Sequence, residues 1–297
     1  MNLPYFAYGS NLSKKERHSS DLSGLRLLSP AILPDFALAF TRYSKKWQGG
    51  VSDIVARRGS HVPGALLKVE DSKTLEALDY KEGYFKNSPE KSAYIRKEYT
   101  VLLPDGSMTR AFSYEVRDKE SFIKPAESYF NTIKSGLREN RLSCEHLRAA
   151  AENKQPELYP ALLFIYGTLM RGESHHYMIK NLSPVNIKEA LCRGRLYMLN
   201  GYPGLVLDNT AKCPVSGELV EFQKDSDPFK SLDDYEDFSG FIGKDFASVE
   251  ESLYYRTLIS VTAGENCSCL AWTYVYRGSL KAAKVISSGS WRTHKAR

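Results

Sequence analysis

The sequence predicts an α+β protein made of two tandem domains, each a small mixed β-barrel or sheet with peripheral helices. Three observations predict it. First, the apolar run Tyr5-Phe6-Ala7-Tyr8 stops abruptly at Gly9-Ser10-Asn11, and the same phrase returns within Ala161–Met170, with its turn at Gly167-Thr168. An aromatic or β-branched run closed by Gly and small polar residues reads as a buried strand entering a tight turn. Second, a series of later words recurs in the same order at matched distances. Third, strand-like runs are many and short while helical ones are few, as in a compact α+β unit.

The elements follow in order. In the first domain, residues 1–152, the strand-end turn is followed by a polar helix, Ser13–Leu22, whose Ser13-Lys14-Lys15-Glu16 start has the form of a capping box. Short strands are expected at Pro34–Thr41, Gly50–Val55, Gly64–Val69, Ile95–Leu103 and Arg110–Val116. Helices are expected at Ser72–Leu78, at Ala126–Glu139 with Tyr129, Phe130, Ile133 and Leu137 on one face, and at Ser143–Glu152. Residues 153–160 are polar and carry two prolines, which places a linker there. The second domain, residues 161–280, repeats the order with Gly217–Phe222, Leu232-Asp233-Asp234-Tyr235-Glu236, Tyr255–Val261 and Ala271–Tyr276. Tyr8 precedes Glu82 by 74 positions and Tyr166 precedes Glu236 by 70, while Gly64 and Gly217 precede those glutamates by 18 and 19. Four words in one order at matching distances are a repeat, and the period is too long for a solenoid.

With 297 residues, 42% of them hydrophobic, the chain suits two ordinary cores. No run approaches the roughly 18 apolar residues of a spanning helix. No basic stretch followed by an apolar one opens the chain, and five cysteines make no paired framework, so the expected compartment is the cytoplasm. Cys267-Ser268-Cys269 lacks a second ligand cluster at metal-binding spacing. Much of the net charge of +6 sits in residues 281–297, expected to be a solvated basic end rather than a nucleic-acid contact, because no aromatic residues interleave with the cations. Ser10 lies in no Gly-x-Ser-x-Gly elbow, and His175-His176 are neighbours that point apart on a helix.

Tyr8-Gly9-Ser10-Asn11-Leu12, Trp47-Gln48-Gly49-Gly50, Leu78-Asp79-Tyr80-Lys81-Glu82-Gly83 and Tyr94 together resemble the γ-glutamyl cyclotransferase family. Tyr166-Gly167-Thr168-Leu169, Tyr202-Pro203-Gly204 and the Glu236 word are similar to its γ-glutamylamine branch. The resemblance implies an enzyme, independent of metal and cofactor, that acts on a small γ-glutamyl amide. The substrate's own α-amine attacks its γ-carbonyl, releasing 5-oxoproline and a free amine. Tethering supplies the proximity that other amidases obtain by binding. The protein must then take a proton from the ammonium, hold the oxyanion and return a proton to the leaving amine.

The resemblance assigns the proton shuttle to Glu82 and Glu236. It assigns the α-carboxylate to the turn amides of Gly9, Ser10 and Asn11, and the pocket wall to Leu12, Tyr8 and Tyr94. The second-domain counterparts are Tyr166, Gly167, Thr168, Leu169 and Tyr255, with Tyr254 one position away from the last choice. Asp237 follows Glu236 where Gly83 follows Glu82, so like-charge repulsion between the two acids is expected. Trp47 and the glycines after it are expected to pack. Loops such as 42–47 and 85–92 are the candidates for contacting the leaving amine. Removal of a γ-glutamyl protecting group from a natural product, or ligand binding without turnover, remains compatible with the same residues, and activity could reside in one half or both.

Overall fold

The computed structural model describes residues 3–154, 162–211, 213–223, 226–264 and 267–295. The chain divides into two compact units, mostly before and mostly after the segment read as a linker. Residues 155–160 of that segment lie outside the described residues.

In the first unit, β1 (Tyr5–Ala7), β2 (Leu25–Ser44), β3 (Gly49–Val69), β4 (Tyr94–Leu102) and β5 (Met108–Val116) close into a barrel ordered β1-β3-β2-β4-β5. Closure is made by β5 running parallel to β1, with Phe112 opposite Tyr5. Strand β1 is buried on both faces. Tyr5 and Ala7 pack with Tyr129, Ile133 and Leu137, whereas Phe6 and Tyr8 pack with Leu33, Phe36 and Ile54. A strand covered on both sides reads as an unbroken apolar run.

The strands expected at 34–41, 50–55 and 64–69 are pieces of one long hairpin, β2 and β3. Prolines and polar residues that looked like strand ends are absorbed by register shifts at Leu27/Ser29, Pro34/Phe36 and Phe40/Arg42. At one shift Asp35 adopts φ 61° and its carboxylate accepts the Gly59 amide at 2.8 Å. Bulges of this kind bend a strand without ending it.

Four helices cover this barrel: α1 (Lys14–Ser19), α2 (Ser72–Lys81), α3 (Glu127–Glu139) and α4 (Glu145–Ala151). Ser13 caps α1, and Asp71 caps α2 by accepting the Thr74 amide at 2.7 Å. Helix α3 buries Tyr129, Ile133, Gly136 and Leu137. It lies so close to the strand-end turn that a Cβ on Gly136 would stand 2.5 Å from the Ser13 nitrogen.

The second unit contains β6 (Leu162–Ile165), α5 (His176–Asn181), β7 (Asn186–Cys192), β8 (Arg195–Met198), β9 (Pro203–Val206) and β10 (Val215–Glu221). It continues with α6 (Phe229–Tyr235), α7 (Phe246–Glu251), β11 (Tyr254–Ala263), β12 (Cys267–Tyr276), β13 (Lys284–Val285) and α8 (Trp291–Lys295). A second barrel is ordered β10-β6-β12-β11-β7, and β13-β8-β9 form a small sheet. Strand β12 runs parallel to β6, with Trp272 opposite Leu163, as β5 does to β1. Ser113 Oγ donates to the Phe6 carbonyl at 2.7 Å and Thr273 Oγ1 to the Phe164 carbonyl at 3.0 Å, so the duplication extends to single hydrogen bonds.

The basic end corrects the expectation of a solvated tail. Lys284 and Val285 pair with Met198 and Tyr197, Ile286 and Trp291 are buried, and the Arg292 guanidinium donates to the fully buried Glu218 at 2.8 Å. Apolar residues interspersed among the cations find cover there, and a buried acid receives one of those cations. Among the described residues no helix is long and apolar enough to cross a membrane.

Candidate active sites

Each unit brings its strand-end turn against the C-terminal end of one helix. In the first unit the turn 10–12 is a single 3-10 turn in which the Leu12 amide donates to the Gly9 carbonyl at 3.0 Å. Gly9 has φ −110° and ψ −144°. Glycine is required there less for the bend than for clearance, since a Cβ would stand 2.3 Å from Ser52 Oγ. Gly167 repeats this, with Pro203 Cγ 2.4 Å from its would-be Cβ.

Glu82 ends α2, its amide donating to the Leu78 carbonyl at 3.0 Å. Its Oε1 accepts from Asn11 Nδ2 at 2.8 Å, and the same amide donates to Tyr5 Oη at 3.1 Å. Asn11 Oδ1 accepts from Lys81 Nζ at 2.7 Å, which also donates to Glu16 at 3.0 Å, and Glu16 takes Lys46 at 3.2 Å. Burial raises the Glu82 carboxyl above its ordinary range; Lys81 and the Asn11 hydrogen bond oppose the rise and Asp79 adds to it. A partly enclosed carboxyl near a cation is thus subject to opposing influences, burial favouring its protonated form and the cation its ionised form.

In the second unit a cavity of about 290 Å³ opens between the turn and the end of α6. Tyr166, Gly167, Thr168 and Leu169 line it with Glu236, Asp237, Tyr202 and Tyr254. Burial and the neighbouring Asp233 push the Glu236 carboxyl up to about 7. The repulsion comes from Asp233, not from Asp237 as expected. Asp237 instead takes φ 51°, the left-handed position that Gly83 fills at φ 62° after α2.

Several expected roles change. Leu12 is a core residue whose side chain is fully buried and whose amide and carbonyl are both engaged within the protein. In the second unit that place belongs to Met170, whose amide donates to the Gly167 carbonyl at 3.0 Å. The hydroxyls of Tyr8 and Tyr166 donate to the Tyr114 and Tyr274 carbonyls at 2.6 and 2.9 Å, and Tyr94 donates to the Ser52 carbonyl at 3.3 Å, so these hydroxyls are held by the barrel wall, while Tyr166 lines the second-unit cavity as expected. Tyr254, not Tyr255, lines the cavity, because successive strand residues face opposite sides. Trp47 packs on Tyr129, with ring centroids 4.8 Å apart.

Sequence reasoning missed the supports. Asp79, one turn before Glu82, accepts from Arg96 at 2.8 and 2.9 Å and from Tyr114 Oη at 2.6 Å. Asp233, one turn before Glu236, accepts from Arg256 at 2.9 and 3.1 Å and from Tyr274 Oη at 2.7 Å. Residues three apart share a helix face, so the aspartate repeated three positions before each glutamate was the available signal. Beneath each turn lies an arginine: Arg17 donates to the Asn11 and Leu12 carbonyls at 2.8 and 2.9 Å, and Arg292 to the Arg171 carbonyl at 2.9 Å. Among the described residues no group of three or more His, Cys, Asp or Glu side chains is placed to hold a metal ion.

Two barrels of like topology, each setting a half-buried glutamate against a strand-end Tyr-Gly turn, define a tandem cyclotransferase-like protein. The chain belongs to the family described as Gamma-glutamyl cyclotransferase, AIG2-like, whose profile matches residues 5–131 and 163–293. It is 32% identical over 114 residues to Gamma-L-glutamyl-butirosin B gamma-glutamyl cyclotransferase of Niallia circulans, an alignment covering 38% of this chain and 65% of that protein. It is 32% identical over 130 residues to a Putative gamma-glutamylcyclotransferase of Vibrio cholerae serotype O1, covering 44% of this chain and 94% of that protein. A solved structure titled Gamma-glutamyl cyclotransferase is 29% identical with a TM-score of 0.44, covering 53% of this chain and 90% of that chain.

Proposed function

We propose that the protein cleaves γ-glutamyl amides by intramolecular cyclisation, releasing 5-oxoproline and a free amine, with Glu82 and Glu236 as the proton-transferring groups. The observation that carries this reading is the pairing, in each half, of a carboxyl whose proton affinity burial raises with the strand-end turn: Glu82 on Asn11 at 2.8 Å, and Glu236 in the cavity lined by Gly167 and Thr168. Membership of the family and the names of the two relatives support the same reaction class.

The carboxylate takes a proton from the substrate's α-ammonium. The freed amine attacks the γ-carbonyl carbon, forming the ring C–N bond. The turn cradles the glutamyl head, and the carboxyl returns its proton to the departing nitrogen as the amide C–N bond breaks. The ring nitrogen's surplus proton passes to the freed carboxylate and on to solvent, leaving the neutral lactam. A carboxyl titrating near 7 is matched to such a shuttle at neutral pH.

The test is to incubate the purified chain with a γ-glutamyl dipeptide, γ-glutamyl-lysine and glutathione and to quantify 5-oxoproline by chromatography. Glu82→Gln and Glu236→Gln are each expected to silence one half, and the double variant to release none. Binding of these compounds by the wild-type chain without any 5-oxoproline would replace this reading with that of a metabolite-binding module.

A further inference from the structure

The mouth of the second-unit cavity carries a collar of half-exposed apolar side chains. Tyr202, Tyr235 and Leu253 line the cavity and are 40%, 37% and 51% exposed, while Tyr254 closes the wall behind them. Large apolar side chains gathered at a pocket rim, still open to water, mark a surface that a ligand covers. Thr168 Oγ1 lies 3.4 Å from Tyr235 Oη, so the collar adjoins the turn assigned to the glutamyl head. Among the described residues that line the cavity there is no Lys or Arg, and the charged groups present are the acids Glu236 and Asp237. The first site is different in charge, because Lys81 and Lys46 stand within one hydrogen-bonded network of Glu82 through Asn11 and Glu16.

We propose that the second site selects γ-glutamyl amides whose leaving amine is apolar or aromatic and bears no carboxylate. The inference rests on the cyclisation reading of that site. An arylalkyl group leaving the reacting carbonyl would run outward between Tyr202, Tyr235 and Leu253 and stack on the phenol rings. A carboxylate at the same place would meet Asp237 with no cation to receive it, a repulsive element that enforces selection.

The test uses the full chain carrying Glu82→Gln, so that turnover reports the second site. L-γ-glutamyl-phenethylamide, L-γ-glutamyl-methylamide and L-γ-glutamylglycine are compared by 5-oxoproline release. The expected kcat/KM falls in that order, with the phenethylamide at least about 10-fold above the methylamide, the usual yield of a filled apolar subsite. The combined change Tyr202→Ser and Leu253→Ser is expected to shrink that ratio toward one. Equal rates for the three amides, or preference for the glycine compound, would overturn the selectivity while leaving the reaction standing. Loss of all turnover in Glu82→Gln, with the wild type active, would also overturn it by showing the second site silent. No 5-oxoproline from any amide with the wild type would remove the reaction and this inference together.

Discussion

Asn11 Nδ2 lies 2.8 Å from Glu82 Oε1, joining a turn and a helix end that are 71 residues apart in the chain. Aligning the two Tyr-Gly turns puts Leu169 where Asn11 stands, and Leu169 has no such donor. A glutamate therefore stands in two environments, one cation-bearing, the other without Lys or Arg among the residues that line its cavity.

Replacing Asn11 with Leu tests the first environment. The change removes the donor that holds the Glu82 carboxyl down, so its titration moves upward. If the ionised form is the base, the acidic limb of kcat/KM against pH moves to higher pH, measured in a Glu236→Gln background. Leaving Lys81 and Tyr5 without their amide partner is expected to cost about 1–3 kcal/mol of stability as well, read from denaturant unfolding.

Glu236 sets a pH dependence of stability. Its carboxyl titrates near 7 in the folded chain against an ordinary 4.5, so the proton is bound more tightly folded than unfolded. That stabilisation is complete below about pH 4.5 and is lost as pH rises through about 7. Glu236→Gln, which cannot ionise, should therefore gain on the wild type between pH 5 and pH 9, by up to about 3 kcal/mol at one unit per 1.36 kcal/mol. Urea unfolding at the two pH values measures it; a gain at pH 5 that vanishes at pH 9 would contradict the assignment.

The two aspartate clamps should differ in cost. Arg256 is fully buried between Phe229 and Trp272, with its guanidinium carbon 4.3 and 4.7 Å from their ring centroids, and Asp233 beside it is nearly so. Asp233→Asn strands a buried cation and is expected to destabilise the second unit by about 3–5 kcal/mol. Asp79→Asn breaks a pair whose side chains are 24% and 21% exposed, and hydration of Arg96 should hold the loss to about 1–2 kcal/mol. Thermal unfolding of the two variants gives the order.

Arg292→Ala tests whether the basic end belongs to the second site. The change frees the Arg171 carbonyl and removes one of two guanidinium partners from Glu218, the other being Arg171 at 2.9 Å. A loss of about 1–3 kcal/mol is expected. In a Glu82→Gln background 5-oxoproline release should fall, whereas in a Glu236→Gln background it should not.

The repeat and the α+β class were legible because they are written in local words at fixed distances, and the pairing of each Tyr-Gly turn with its glutamate was implied by the family resemblance those words carry. The tertiary structure decided the rest. It joined three expected strands into one long hairpin, because bulges let prolines and a left-handed Asp35 stay in a ladder. It turned the Tyr8 and Tyr166 hydroxyls into the barrel wall, chose Tyr254 over Tyr255, and folded the basic end onto Glu218. Sequence by itself determined which acid each half carries and which turn meets it. Only the packed chain decided how far each acid is enclosed, and that burial is the largest influence on the proton affinity of Glu82 and Glu236, whereas their charged neighbours Lys81, Asp79 and Asp233 lie within three positions along the chain.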